Sequence, residues 1–137
     1  MNDHPQPILP LDEDLNSALG FHVDEVEIGR VTGHFEVENK VRQPFGIVHG
    51  GAHAAFAETL ASVGTFRAVA ESGNIAMGMS NNTTFLRSVN AGTIHAEAIA
   101  LSQGKTTWVW DVTLKDEQDR VCAVSRVTIA VRERRRV

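Results

Sequence analysis

The sequence predicts an α+β domain in which a curved antiparallel β-sheet wraps around one long central α-helix. Three observations support this fold class. Alternating apolar and polar residues, typical of half-buried strands, occur both before and after the middle of the chain. Between them lies a single long alanine-rich stretch without proline. Short turn-forming segments separate the later strands, and such links join antiparallel neighbours.

The N-terminal region is predicted to lie outside this arrangement. Residues 1 to about 10 contain three of the four prolines and are expected to form a flexible arm. Residues 11–18 are expected to form a short helix, with Asp12, Glu13 and Asp14 near the positive end of its dipole. The chain therefore divides into an arm with a short helix at 1–18 and one domain at 19–137, a length that fits a single core.

The first two strands are predicted from alternation that starts at Gly20. Residues 21–28 form the first strand, and Gly29-Arg30 forms the turn to the next. Four residues of the second strand share one face: Val31, Gly33, Phe35 and Val37. Thr32, His34, Glu36 and Glu38 share the other face, which is the period of two expected for a half-buried strand.

The central helix is predicted for residues 52–71, AHAAFAETLASVGTFRAVAE, which are enough for five helical turns. Nearly every residue is small or apolar, so we expect this helix to be buried on most sides. The turn-rich segment QPFGIVHGG precedes it, and a loop is expected at residues 72–74.

Four more strands are predicted after this loop. The clearest alternation lies at residues 93–100, 108–114 and 121–129, with turns at 90–92, 103–104 and 116–119. The order is then two strands, one helix and four strands, and the helix must lie against one face of the sheet. A sheet curled around a single long helix is the hotdog architecture.

The composition argues against several classes of protein. The chain is 42% hydrophobic and has a formal net charge of −4, so nothing global indicates binding to nucleic acid. Cys122 is the one cysteine, which excludes an internal disulfide and a cysteine-only metal site. The acidic N-terminus lacks the features of a signal peptide, and no apolar run reaches the length that spans a bilayer. We expect a cytoplasmic protein without a membrane partner.

Glu58 is the first candidate for chemistry. It lies mid-helix among alanines and Phe56, where an unpaired carboxylate is costly unless it has a function. The alternative is a narrow solvated stripe shared with Glu71 or Arg67, and the helix pattern alone favours neither. Ser62 lies one turn later on the same face, where its hydroxyl could bind the carboxylate or a water beside it.

The second candidate is the start of the helix at His49-Gly50-Gly51. Free N–H groups and the helix dipole there could polarise a substrate carbonyl. Gly50 and Glu58 are eight residues apart, roughly 12 Å along the axis, so one substrate carbon cannot touch both groups of one chain. If both act on one substrate, the second must come from another subunit, and the site then requires a dimer.

Other kinds of site find little support. His49 and His53 have the spacing of metal ligands, but the five residues from His53 to Glu58 turn the carboxylate away from them, so we expect no metal. The chain has no G-x-S-x-G elbow and no glycine-rich nucleotide motif, so we expect no cofactor. The basic run RERRR at 132–136 is expected to be a solubilising tail, apart from Arg134 and Arg135, which suit phosphate.

The segment QPFGIVHGGAHAAFAETLASVGT resembles the signature of hotdog thioesterases of the phenylacetate-degradation and 4-hydroxybenzoyl-CoA thioesterase type. The resemblance runs from about residue 20 to 135. It is closest to the Arthrobacter-type 4-hydroxybenzoyl-CoA thioesterases, through SNNTTFLRSV, GKTTWVWDVTL and RVCAVSRVTIAVRERR. The 1,4-dihydroxy-2-naphthoyl-CoA thioesterases and the proofreading thioesterases of enterobactin synthesis share the QPFG-x-x-HGG and Ala-Glu-x-x-x-Ser patterns.

The resemblance implies roles for individual residues. Glu58 matches the catalytic carboxylate, acting as nucleophile or as general base on water, and the Gly50 N–H matches the donor to the thioester carbonyl. Gln43 and His49 match residues that position the nucleophile and the thioester, and Ser62 matches a hydroxyl one turn after the carboxylate. The residues that match CoA contacts are Arg87, Thr106, Thr107 and Arg135.

These matches imply an acyl-CoA thioesterase that releases the free acid and CoA, working as a homotetramer of two dimers with sites at the dimer interfaces. Phe85 and Leu86 stand where the enterobactin and naphthoyl branches have a histidine, and their apolar side chains suit an aromatic or apolar acyl group. Trp108 and Trp110 are expected to serve core packing. Two alternatives stay open: a hotdog dehydratase or hydratase that acts on hydroxyacyl or enoyl thioesters, and a non-catalytic protein that binds acyl-CoA.

Overall fold

A computed structural model describes residues 9–10 and 12–135 as one six-stranded antiparallel sheet and one long helix. The elements are α1 (Leu15–Leu19), β1 (His22–Glu27), β2 (Arg30–Glu36), α2 (Gly50–Val69), β3 (Asn74–Phe85), β4 (Thr93–Gln103), β5 (Thr107–Lys115) and β6 (Val121–Glu133). The strands are ordered β1-β2-β4-β5-β6-β3, which leaves β1 and β3 at the two edges. This arrangement confirms the predicted hotdog fold.

Helix α2 packs on the sheet through one face. Its buried residues come in pairs four apart, at Ala52, His53, Phe56, Ala57, Leu60, Ala61, Gly64 and Thr65. The opposite face, which includes Glu58 and Ser62, is only half-buried. Burial on most sides was therefore too broad an expectation for a single chain, because one sheet covers only one side of a helix.

The two tryptophans belong to the core. Trp110 is fully buried, and its indole N–H donates to the Thr65 hydroxyl over 2.8 Å. Trp108 stacks against it with ring centroids 5.9 Å apart. A buried indole needs such a partner for its N–H, so this pair fastens α2 to β5, as expected from core packing.

Two predicted helix starts differ from the structure. Helix α1 begins at Leu15 because Asp14 caps it, with the Asp14 carboxylate accepting from the Ser17 N–H over 2.8 Å. Asp12 has a φ of 74°, so it lies outside the helix. Residues 1–8 of the predicted arm and Leu11 lie outside the described residues. Helix α2 begins at Gly50, two residues early, because His49 caps it.

No helix in the described ranges combines the length and the hydropathy needed to cross a bilayer.

Candidate active site

Hydrogen bonds fix the loop that precedes the N-terminus of α2. The His49 Nδ1 accepts from the Gly51 N–H over 2.8 Å, which uses one of the free donors of the first turn. The loop is closed by a bond of 2.9 Å from the Gln43 N–H to the Ile47 carbonyl, and the Val48 N–H donates to the Val89 carbonyl. The Gly50 N–H, at the first helical position, has no acceptor within the helix.

A cleft of about 490 Å³ opens at this end of the helix. Five of the residues predicted for the site line it, namely Gln43, His49, Gly50, Phe85 and Arg87. One wall is the loop and the first turn of α2, and the other is the end of β3 with the segment that follows it. The fold therefore brings together predicted site residues that lie more than forty positions apart in the chain.

Phe85 packs directly over Gly50. A methyl group built on Gly50 would lie 2.7 Å from the Phe85 Cζ, so a larger residue here would force the ring to move. Glycine thus allows the close approach of the aromatic ring to the helix start. The Phe85 side chain is 54% exposed, so its ring forms both a cover over the Gly50 backbone and an apolar wall of the cleft.

Arg87 supplies positive charge at the mouth of the cleft. The residue is exposed and forms no ion pair with another described residue. Its backbone is fixed by a bond from its N–H to the Cys122 carbonyl over 3.2 Å. A guanidinium free of carboxylate partners can bind the phosphates of a ligand.

Glu58 lies outside this cleft, two turns further along α2. Its carboxylate rests against the backbone of Gly78 in β3, where an added Cβ would lie 2.9 Å from the Glu58 Cδ and 3.0 Å from the Oε2. Glu58 forms no ion pair with any described residue. The carboxylate is therefore half-buried without a cationic partner.

Sequence reasoning did not identify Gly78 as a residue that contacts Glu58. It lies beside an irregularity of β3, where the register with β6 shifts between Gly78 and Ser80. The Asn81 side-chain amide donates to the Ala54 carbonyl over 2.9 Å and holds this part of β3 against α2. A glycine inside a strand often marks close approach of another group, and that signal could have identified Gly78.

His53 lines the cleft, and sequence reasoning did not assign it to catalysis. It lies on the cleft-facing side of α2 and is 3% exposed. Burial lowers the pKa of His53 to about 4. The His49 Nδ1 is engaged with the Gly51 N–H, and the described residues contain no cluster of three or more His, Cys, Asp or Glu that could hold a metal ion.

The remaining predicted contacts lie at the opposite end of the domain. The Thr106 carbonyl accepts from the Val131 N–H over 2.9 Å, and the Thr107 carbonyl accepts from the Gly104 N–H. The segment before Arg135 is tied to the loop after α2 through a bond from the Arg134 N–H to the Gly73 carbonyl. Helix α2 has 20 residues, so this end lies about 30 Å from Gly50. One chain cannot present both ends to one small ligand.

The chain is similar to known thioesterases in sequence and in fold. Residues 45–123 match the thioesterase superfamily. The chain is 38% identical over 122 residues to a 1,4-dihydroxy-2-naphthoyl-CoA hydrolase of Listeria monocytogenes, covering 89% of this chain and 98% of that protein. It is 34% identical to the proofreading thioesterase EntH of Klebsiella pneumoniae, with 82% of each chain covered. The crystal structure of a thioesterase from Haemophilus influenzae superimposes with a TM-score of 0.83 at 30% identity, over 88% of this chain and 84% of the other.

Proposed function

This chain belongs to the thioesterase superfamily, and from that membership we propose that it hydrolyses an aromatic acyl-CoA thioester at a site shared by two subunits. The observation on which this rests most is the glycine-lined start of α2, which presents a free N–H to a cleft of substrate size. The second reacting group is the Glu58 carboxylate of the neighbouring subunit, which has no cationic partner on its own helix.

The Gly50 N–H polarises the thioester. The first turn of a helix offers donors and positive potential where negative charge develops on the carbonyl oxygen during acyl transfer. Gln43 and His49 border the same cleft and position the thioester group there. The role of His49 is positional, because its Nδ1 is already engaged with the Gly51 N–H.

Glu58 activates the nucleophile or is the nucleophile. By one route it removes a proton from a water whose oxygen attacks the carbonyl carbon, the C–S bond breaks, and the CoA sulfur leaves and takes up a proton. By the other, the Glu58 carboxylate itself attacks the carbonyl carbon, the C–S bond breaks, CoA leaves and takes up a proton, and water hydrolyses the resulting anhydride to the free acid and the Glu58 carboxylate. Ser62, one turn later and half-buried, orients the carboxylate or the water in either case.

The second subunit docks along β3. This strand is a sheet edge of twelve residues, and Met77 and Met79 on it are at least half exposed. A long edge strand with exposed apolar residues is suited to pairing with another strand. A two-fold axis perpendicular to β3 sets the two α2 helices side by side and antiparallel, so that Glu58 of one subunit approaches Gly50 of the other. Pairing of such dimers gives the tetramer.

The same arrangement accounts for the divided CoA contacts. In an antiparallel pair the far end of one subunit lies beside the cleft of its neighbour. Thr106, Thr107 and Arg135 then approach a CoA whose thioester is held at the partner's helix start. Arg87 adds a guanidinium from the cleft itself. All four residues thus contact one CoA molecule, which they could not do within a single chain.

The acyl group is assigned as aromatic from the wall of the cleft. Phe85 offers a half-exposed ring beside Gly50, and Leu86 next to it is 58% exposed. Flat aromatic groups gain from stacking on such a ring in addition to the area they bury. The Listeria relative is named for a naphthoyl-CoA substrate, which is consistent with this class of acyl group.

The test is thiol release from a panel of benzoyl-, naphthoyl-, phenylacetyl- and fatty-acyl-CoAs, with an enoyl-CoA to detect hydration. Glu58→Gln should lower kcat about a hundredfold or more, because a positioned base contributes about 10² to 10⁴ in rate. Glu71→Gln is the matched control, since Glu71 is exposed beyond the end of α2. Near-normal kcat in Glu58→Gln would contradict the assignment.

The shared site has a separate test. Sedimentation at the assay concentration should show a dimer or tetramer, and mixing Glu58→Gln subunits with subunits disabled at the Gly50 end should restore part of the activity. A fully active monomer would contradict the two-subunit site while leaving the hydrolytic activity in place.

A further inference from the structure

The wall of the cleft contains an imidazole that the proposed reaction does not use. His53 is 3% exposed, and its Nδ1 is buried without a hydrogen-bond partner among residues 9–10 and 12–135. Buried polar atoms are nearly always paired in proteins, and His53 lines the cleft, so a polar group of a ligand bound there is a candidate partner for this nitrogen. The His49 imidazole, one turn earlier, differs because its Nδ1 already caps the helix.

The surroundings of His53 keep it neutral. Its ring lies 6.0 Å from the ring of Phe35 and 6.3 Å from that of Phe85, measured between centroids. Removal from water lowers the pKa of His53 to about 4. At neutral pH the imidazole therefore offers one N–H donor and one acceptor nitrogen, and it can pair with an uncharged polar group.

His53 also lies within reach of the acyl group. It follows Gly50 by three residues on α2, roughly 4.5 Å along the axis. Phe85 contacts both, since its ring covers Gly50 and lies beside His53. An acyl group whose carbonyl binds at the Gly50 N–H and whose ring displaces or stacks on Phe85 therefore extends toward His53.

We propose that His53 is a specificity-determining residue that hydrogen-bonds a polar substituent, such as a hydroxyl, on the acyl group. The inference rests on the function proposed above, and it adds what that function leaves open: which substituted acyl groups the cleft prefers. An unsubstituted ring leaves the His53 nitrogen unpaired in the complex. A ring with a correctly placed hydroxyl satisfies it and binds more tightly in consequence.

The experiment compares CoA thioesters that differ by a single hydroxyl: benzoyl-CoA and its 2-, 3- and 4-hydroxy forms. In the wild type we expect kcat/KM for at least one hydroxy form to exceed that for benzoyl-CoA by about tenfold or more. His53→Phe should bring this ratio close to one, because it lowers kcat/KM for the preferred hydroxy form more than for benzoyl-CoA. His53→Asn, whose amide lies near the position of Nδ1, should retain part of the preference.

The control is His95→Phe, the same change on the exposed face of β4, which should leave the ratio unchanged. A purely structural His53 would alter all four thioesters alike, so the ratio separates the two roles. An unchanged ratio in His53→Phe and His53→Asn, or a wild type that prefers none of the hydroxy forms, would overturn the proposal.

Calorimetric binding of the same four thioesters to the Glu58→Gln variant measures the preference without turnover. If no thioester is hydrolysed but His53→Phe still removes a preference in affinity, the proposed function fails and the recognition role of His53 stands. If hydrolysis occurs without any dependence on His53, the recognition role fails alone. If neither affinity nor turnover for the four thioesters depends on His53, the proposal is refuted whichever substrate the enzyme prefers.

Discussion

The replacement of His53 by phenylalanine should make the stability of the protein less sensitive to acid. His53 is buried among aromatic rings, and this burial lowers its pKa from 6.5 to about 4. In the unfolded chain the imidazole is in water and returns to its ordinary pKa. Between pH 6.5 and 4 the unfolded state therefore binds more protons than the folded state, and stability falls as pH falls through this window.

The magnitude follows from the two pKa values. A pKa difference of one unit corresponds to about 1.36 kcal/mol, so the full contribution, present above pH 6.5 and largely lost by pH 4, is roughly 3 kcal/mol. Between pH 7 and pH 4.5 most of it, about 2 kcal/mol, should already be lost. His53→Phe removes this titration while keeping a ring of similar size in the core, so its stability at pH 7 should be equal or higher.

The assay is urea unfolding at pH 7 and pH 4.5, at one fixed protein concentration because oligomers unfold in a concentration-dependent way. Carboxylates also titrate over this range, so the informative quantity is the change in unfolding free energy for the wild type minus that for His53→Phe. His95→Phe, which removes an exposed histidine, should follow the wild type. Equal pH dependence in the wild type and His53→Phe would refute the argument that His53 is buried neutral.

Two further predictions concern the proposed reaction. Gly78→Ala places a methyl group 2.9 Å from the Glu58 Cδ and should displace the carboxylate, lowering kcat by about tenfold to a hundredfold with thiol release as the measurement. In a Glu58→Ala background the same change should have no further effect, and an additive loss would contradict the contact as its cause. Arg87→Ala should raise KM for CoA thioesters by about tenfold with little change in kcat, and the difference from wild type should shrink in high salt. A loss confined to kcat would place Arg87 outside CoA binding.

Local features of the fold were predictable because they depend on residues close together in sequence. The alanine-rich stretch forms α2, and alternation at residues 31–37 forms β2. The starts of α1 and α2 were misplaced because a side-chain cap decides each one. Asp14 and His49 could be recognised as caps only from their geometry.

The candidate site was predictable in its parts. Glu58 was identified by a carboxylate among small residues, and Gly50 by a glycine pair before a helix. Their distance along α2 also followed from sequence, since helical rise is constant. Phe85 and Arg87 came from the resemblance, and their position beside Gly50 depends on β3 running back along α2 while paired to β6.

The sequence by itself determined the elements, the helix that holds the carboxylate, and the separation of Gly50 from Glu58 on which the proposed second subunit rests, because each depends on local periodicity. Tertiary structure decided which groups lie in contact: Phe85 over Gly50, Gly78 beneath Glu58, and His53 removed from water between two rings. Those contacts join positions far apart in the chain, and burial, which sets the protonation of His53, exists only once the sheet has closed around the helix.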